Sequence, residues 1–237
     1  MEKRLPIIAT AAWSIPRAVA SQFPLEGTGL SRYAAVFKGV EINSTFYRQH
    51  KPSTFERWMS AVPDDFRFAV KIPKDITHVA RLEDIRTGFQ SFLAGISPLA
   101  GKLGPLLCQL PPSLTFDLDL AEQAFGAMRE QHAGPIAVEA RHRSWACDAA
   151  SQLLERFSID RVLADPAPVW EASDFEEAPR YVRLHGQPKI YYSSYTSEEI
   201  GAFAKLLSES SWCVFDNTAS GAASKNALAM LAAFASA

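Results

Sequence analysis

The stretch Ile136-Ala137-Val138-Glu139-Ala140-Arg141 decides how this chain is read. It is apolar enough for a buried strand, yet it carries an acid and a base two residues apart. Successive strand side chains point to opposite faces, so Ala137, Glu139 and Arg141 share one face and Ile136, Val138 and Ala140 the other. Ionic groups cannot face a layer of apolar helices without partners. The Glu139 face is therefore expected to look into a space shared with other polar strand ends.

Outward from this stretch the same arrangement recurs: Glu41 with Asn43, Ala69 with Lys71, and Arg183 with His185. Eight buried strands are expected: Leu5 to Ala9, Val40 to Asn43, Phe66 to Ile72, Pro105 to Leu110, Ile136 to Arg141, Arg161 to Asp165, Tyr181 to His185 and Cys213 to Asn217. Most are short and almost continuously hydrophobic, as parallel strands covered on both faces must be. Helical patterns fall between them at Leu30 to Phe37, Ser53 to Val62, Leu82 to Leu99, Asp119 to Gln131, Ala146 to Phe157, Ser197 to Leu207 and Ser224 to Phe234. Pro166, Pro168 and Pro179 argue that the helix after strand six is missing or irregular. This alternation predicts an α/β fold, a single-domain TIM-type (β/α)8 barrel over residues 1–237.

The 237 residues are 48% hydrophobic, which suits one compact domain. A formal charge of -2 gives no global attraction to nucleic acid or anionic membrane, so a nucleic-acid role would have to be local. The N-terminal segment has too few apolar residues for a signal-peptide core, and no run approaches a membrane span, so a cytoplasmic location without membrane partners is expected. Cys108, Cys147 and Cys213 are widely spaced and read as core thiols. Motifs for dinucleotides, P-loop phosphates, His-Glu-x-x-His metal sites and Gly-x-Ser-x-Gly nucleophiles are absent from the sequence.

In a barrel of this kind chemistry belongs at the C-terminal strand ends. These supply Glu41, Lys71, Glu139, His185 and Asp216 as candidate catalytic groups, and Trp13, Asn43, His78, Gln109, Arg141, His142, Arg183, Asn217 and Tyr192 as candidate ligand contacts. Three readings compete. In the first, an enzyme holds a phosphorylated or otherwise anionic small molecule with Lys71, Arg141, Arg183 and the histidines, and Glu139 or Glu41 is the base. The segments His185 to Lys189 and Asn217 to Gly221 follow strands seven and eight, where such barrels often bind phosphate; the latter leads into a helix whose N–H groups would suit an anion, unless Ser220 and Gly221 simply cap and turn. In the second, Glu41, Glu139, Asp165, Asp216 and His185 hold a divalent metal in a hydrolase, nuclease or isomerase. Its nuclease version has Tyr47, Trp145, Tyr191, Tyr192 and Tyr195 stacking on bases. In the third, the charges serve a non-catalytic binding module or only hold the mouth together. No cofactor or resident metal is assigned. Lys71 is expected to pair with Glu41 on the neighbouring strand rather than serve as a Schiff-base amine. Phe46, Tyr47, Phe55 and Trp58 are expected to pack the second loop and helix, and Pro111-Pro112 to end the fourth strand. Glu139→Gln, Arg141→Ala and Arg183→Ala are expected to fold and to bind ligand poorly.

The ordered strings Val40-Glu41-Ile42-Asn43-Ser44-Thr45-Phe46-Tyr47-Arg48, Phe68-Ala69-Val70-Lys71-Ile72-Pro73 with Ile76-Thr77-His78, and Lys102-Leu103-Gly104-Pro105 leading to Gln109-Leu110-Pro111-Pro112 resemble one known family. So do Val138-Glu139-Ala140-Arg141-His142 with Ser144-Trp145, Tyr181-Val182-Arg183-Leu184-His185-Gly186, and Asp216-Asn217-Thr218 with Asn226-Ala227. Together they are similar to the YecE-like family, known as domain of unknown function 72. The resemblance implies a TIM-type barrel and carries no established reaction, so function must be argued from the site. One segment departs from it: where the family typically has Gly-Thr-Ser-Gly-Trp-Ser-Tyr, this chain has Ala9-Thr10-Ala11-Ala12-Trp13-Ser14-Ile15. Alanine removes the close backbone approach that glycine allows, and Ile15 removes a hydroxyl.

Overall fold

A computed structural model describes residues 5–235. Eight strands run parallel: β1 Ile7–Thr10, β2 Gly39–Ile42, β3 Arg67–Lys71, β4 Leu103–Gln109, β5 Ile136–Glu139, β6 Asp160–Asp165, β7 Tyr181–Leu184 and β8 Trp212–Phe215. They are hydrogen-bonded in the order β1-β8-β7-β6-β5-β4-β3-β2. Helices α1 Gly29–Ala34, α2 Pro52–Ser60, α3 Arg86–Ile96, α4 Leu118–Gln131, α5 Asp148–Arg156, α6 Ser197–Ala204 and α7 Ala222–Ala235 pack outside. The expected TIM-type barrel is what forms. After β6 only a single 3-10 turn, Ala172–Asp174, replaces a helix.

Local signals place several helix starts. Asp117 Oδ1 accepts from Leu120 N–H at the head of α4, and Thr196 with Glu199 forms a reciprocal cap on α6. The long helix expected from Leu82 is shorter. Arg81, Leu82 and Asp84 have positive φ values of 52°, 71° and 47°, so the right-handed helix starts only at Arg86. A π-turn at Asp75–Val79 precedes it and carries His78.

The barrel encloses two chemically different layers. Its lower interior is filled by Ile7, Ala9, Ala69, Leu107, Ala137, Val162, Tyr181, Trp212 and Val214. Tyr181 and Trp212 stack with ring planes 6° apart, and small alanines around them leave the room they need. Gly104 is fitted to the same indole: a Cβ there would lie 2.7 Å from Trp212 Cζ2. The outer strand faces, including Val40, Val70, Leu106, Val138, Val182 and Phe215, pack into the helix layer. Cys108 and Cys213 belong to this layer, whereas Cys147, also expected in the core, is exposed at the start of α5.

Backbone pairing does not close the barrel between β1 and β2; a side chain does. Tyr33 of α1 is fully buried, and its hydroxyl accepts from Thr10 N–H at 3.0 Å while donating to the Gly39 carbonyl at 3.2 Å. One phenol thus replaces a rung of the ladder. Burial pushes the Tyr33 pKa up, keeping the hydroxyl protonated as the donor this bridge requires. Tyr33→Phe leaves Thr10 N–H and the Gly39 carbonyl unsatisfied at the seam, for a loss of about 1–3 kcal/mol in chemical denaturation. Unchanged stability would mean that packing alone closes the barrel.

Candidate active site

Residues of β2, β5 and β7, with Asp216 just beyond β8, meet in one buried cluster. The Arg183 guanidinium is 0% exposed. Its Nε donates to Glu41 Oε2 at 3.0 Å, its Nη1 to Glu139 Oε2 at 2.6 Å, and its Nη2 to Glu41 Oε1 at 2.8 Å and Asp216 Oδ2 at 2.9 Å. Tyr181 joins the apolar floor to this layer, its hydroxyl donating to Glu41 Oε2 at 2.9 Å. Burial first, and the Glu41 charge second, push the Tyr181 pKa well up and keep it a donor.

Glu139 is equally saturated. Its Oε1 accepts from Gln109 Nε2 at 3.1 Å and Arg141 Nε at 2.8 Å, and lies 3.2 Å from His185 Nε2. His185 Nδ1 lies 3.0 Å from Asp216 Oδ2, so the imidazole bridges two carboxylates. Burial alone would favour neutral His185, but Glu139 and the hydrogen bonds to both carboxylates outweigh it and raise the pKa. Burial likewise opposes charge on Glu139 and Asp216; Arg183 wins and holds both below their ordinary values.

Lys71 stands apart. It is 5% exposed, yet its Nζ makes no ion pair or hydrogen bond with any described residue and instead sits 4.2 Å from the centre of the Phe46 ring. The expected Lys71–Glu41 pair does not form, because both Glu41 oxygens are taken by Arg183 and Tyr181. Burial, reinforced by the Arg183 charge, pushes the Lys71 pKa down to about 8 against the pull of Glu41, Glu139 and Asp216.

Above the cluster opens a cavity of about 470 Å³. Lys71, His78, Gln109, Arg141 and Asp216 line its base, Asn43 and Phe46 one side, and Tyr47, Tyr191 and Tyr192 the rim. Asn43 Oδ1 is buried without a hydrogen-bond partner. His78 bonds Thr77 Oγ1 through Nδ1, and burial with the neighbouring Lys71 charge lowers its pKa, favouring a neutral imidazole. Phe46 and Tyr47, expected as packing residues, thus belong to this cavity, while Phe55 and Trp58 do pack against each other.

Other candidates lie elsewhere. Trp13 packs edge-on against Trp58 and lines an adjoining recess with Ala11, Ala12, Glu41 and Asn43. His142 caps the turn at Arg143–Trp145, its Nδ1 accepting from Ser144 N–H at 3.2 Å. Asn217 Nδ2 donates to Ser193 O and Asn226 Oδ1, holding the tyrosine loop, while its Oδ1 has no partner. Trp145 and Tyr195 are buried and donate to Leu114 O and Asp165 Oδ2, so neither stacks on an external base.

Two of the alternatives meet contrary geometry. The N–H groups of Ala219, Gly221 and Ala223 bond Tyr191 O, Thr218 O and Asn217 O, and that of Gly186 bonds the Tyr195 hydroxyl. These segments serve their own loops rather than a phosphate. The proposed metal ligands do not fit a metal either. Asp165 is turned to Tyr195 and Gln187, and Arg183 fills the position between Glu41, Glu139 and Asp216 that a cation would need.

The fold and site define a class: a parallel eight-stranded barrel with an arginine-centred ion cluster beneath an open mouth. The model for the family described as "Protein of unknown function DUF72" matches residues 7–237, and the chain belongs to that family. It is 34% identical over 196 residues to the UPF0759 protein YecE of Escherichia coli strain K12, covering 77% of this chain and 67% of that one. It is 26% identical to the UPF0759 protein YunF of Bacillus subtilis strain 168, covering 85% of each. Among solved structures, the DUF72 protein TM1631 of Thermotoga maritima superposes with a TM-score of 0.80 at 25% identity, over 98% of this chain and all of that one. SacUVDE shares only the fold, with a TM-score of 0.53 at 9% identity over 84% of this chain and 80% of that one. No helix among the described residues is long and apolar enough to cross a membrane.

Full burial changes the expectation for Arg183. Arg183→Ala removes the buried cation shared by three carboxylates and should destabilise by about 3–5 kcal/mol in urea melts. Arg141→Ala, in the partly exposed cavity lining, should cost about 1 kcal/mol because Glu139 keeps Arg183. The cluster also sets a pH window. Glu139 has a depressed pKa, so its contribution is complete above its ordinary 4.5 and lost on acidification through the folded value. His185 has a raised pKa, so its contribution is complete below 6.5 and lost as pH rises through the folded value. Stability from the cluster should therefore peak between pH 4.5 and 6.5, a maximum that His185→Gln moves upward in denaturation midpoints against pH.

Proposed function

We propose that this chain is an enzyme acting on a small anionic molecule, phosphorylated or carboxylated, held in the mouth of the barrel. The observation that carries this reading is the cavity itself, which offers Lys71 and Arg141 while the carboxylates below are tied to Arg183. Glu41, Glu139 and Asp216 are matched by Arg183, Arg141 and a charged Lys71, and the raised His185 pKa tilts the balance toward positive charge. A mouth so balanced attracts an anion without needing a basic protein surface.

In this reading Arg141, which lines the cavity, anchors the anionic group through Nη1, the guanidinium nitrogen that neither Glu139 nor His185 engages. Asp216, kept ionised by Arg183 and backed by His185, is the proton acceptor within reach of a ligand. His78, with Nδ1 engaged by Thr77, has Nε2 for a second proton transfer. Gln109 and Asn43 add polar contacts, and Tyr47, Tyr191 and Tyr192 wall the ligand in. Glu41 and Glu139, first candidates for the base, organise Arg183 instead.

Isothermal titration with inorganic phosphate tests the reading. Binding should weaken with salt, and Arg141→Ala should raise Kd on the order of 10-fold. Failure to bind phosphate or any small carboxylate would overturn it, and preferential binding of single-stranded DNA would move the function to nucleic acid.

A further inference from the structure

We infer that Lys71 is a nucleophilic amine that forms a Schiff base with a carbonyl-bearing ligand in the barrel mouth. The inference builds on the anion-binding reading and adds the ligand's reactive group. It starts from geometry. A lysine buried to this degree ordinarily has a carboxylate or several hydrogen bonds, because an ammonium is costly to remove from water. Lys71 has neither among the described residues, although Glu41, Glu139 and Asp216 all act on its charge. Arg183 satisfies those carboxylates so thoroughly that the amine is left over the Phe46 ring, in the wall of the cavity.

Such an amine differs chemically from a surface lysine. With its pKa pushed down to about 8, a substantial neutral fraction exists near neutrality, and the neutral form is the nucleophile. A second unsatisfied group lies beside it. Ile42 of β2 is in register with Val70 of β3, which brings Asn43 alongside Lys71, and Asn43 Oδ1 is a buried acceptor with no donor. Both residues line the cavity.

The step balances. The Lys71 Nζ lone pair forms a bond to the carbonyl carbon, the C=O π pair moves to oxygen, and that oxygen takes the proton released by the attacking amine. The product of this step is a neutral carbinolamine. Protonation of its hydroxyl lets it depart as water while the nitrogen lone pair forms the C=N bond, leaving a cationic imine. His78 is placed to relay a proton from solvent for that departure, and Asp216 lies opposite the new positive charge. Arg141 would hold the ligand's anionic end, so the substrate class is a small phosphorylated or carboxylated aldehyde or ketone.

The test is reductive trapping on the intact wild-type protein. Glyoxylate, an aldehyde with a carboxylate, is added with cyanoborohydride, and the labelled positions among the nine lysines are mapped by peptide mass spectrometry. Lys71 should label on the order of 10-fold faster than any surface lysine, its rate rising with pH to a midpoint near the depressed pKa. Inorganic phosphate should slow labelling at Lys71 only, and Lys71→Met, which keeps the stem over Phe46, should abolish the fast phase. Labelling of Lys71 no faster than the surface lysines would overturn the inference, and if phosphate still bound by titration the anion reading would stand without it. Fast labelling that phosphate does not slow would uphold the amine and sink the phosphate site.

Discussion

One fully buried guanidinium organises the upper half of this barrel. Arg183 on β7 binds carboxylates from β2, β5 and the end of β8 at once, so strands that are not neighbours are linked across the interior. Desolvating a guanidinium is unfavourable, and here three carboxylates compensate it, one of which also accepts from the Tyr181 hydroxyl. The cluster leaves little slack. Glu41 and Glu139 have their oxygens filled, and His185 bridges what remains between Glu139 and Asp216.

The reactivity of the mouth follows from this saturation. Because Arg183 takes the carboxylates, Lys71 is left without an ion pair among the described residues, and Arg141, held by Glu139 and by His185 Nε2, reaches the cavity. Below the cluster, the stacked pair Tyr181 and Trp212 fills the barrel so that the ions rest on a dry floor. The same strand thus supplies a floor residue, Tyr181, the central ion, Arg183, and the bridging imidazole, His185, at successive inward positions.

Much of this was legible before any coordinates. The period of two placed Ala137, Glu139 and Arg141 on one face, and the alternation of apolar runs with amphipathic ones required a parallel barrel. What was not legible concerns partners. Glu41 and Lys71 stand on adjacent strands and invite pairing, but the competing donor comes from residue 183, far away in sequence. Phe46 looked like packing because nothing local says that an ammonium will lie over it. Likewise, the segment after β8 resembles an anion nest, but Tyr191 O takes the Ala219 N–H, Tyr192 O the Ser220 hydroxyl and Thr218 O the Gly221 N–H.

The chain alone determined the strand count, the inward parity of the ionic residues and their position at one end of the barrel, since these depend on local periodicity and the cost of facing charge toward apolar helices. Only the tertiary structure decided which charges neutralise one another, which atoms are left over, and that a phenol from α1 closes the seam between β1 and β2. The physical reason is distance dependence: hydrogen bonds and ion pairs are settled within a few ångströms, and that proximity is created by closing the barrel.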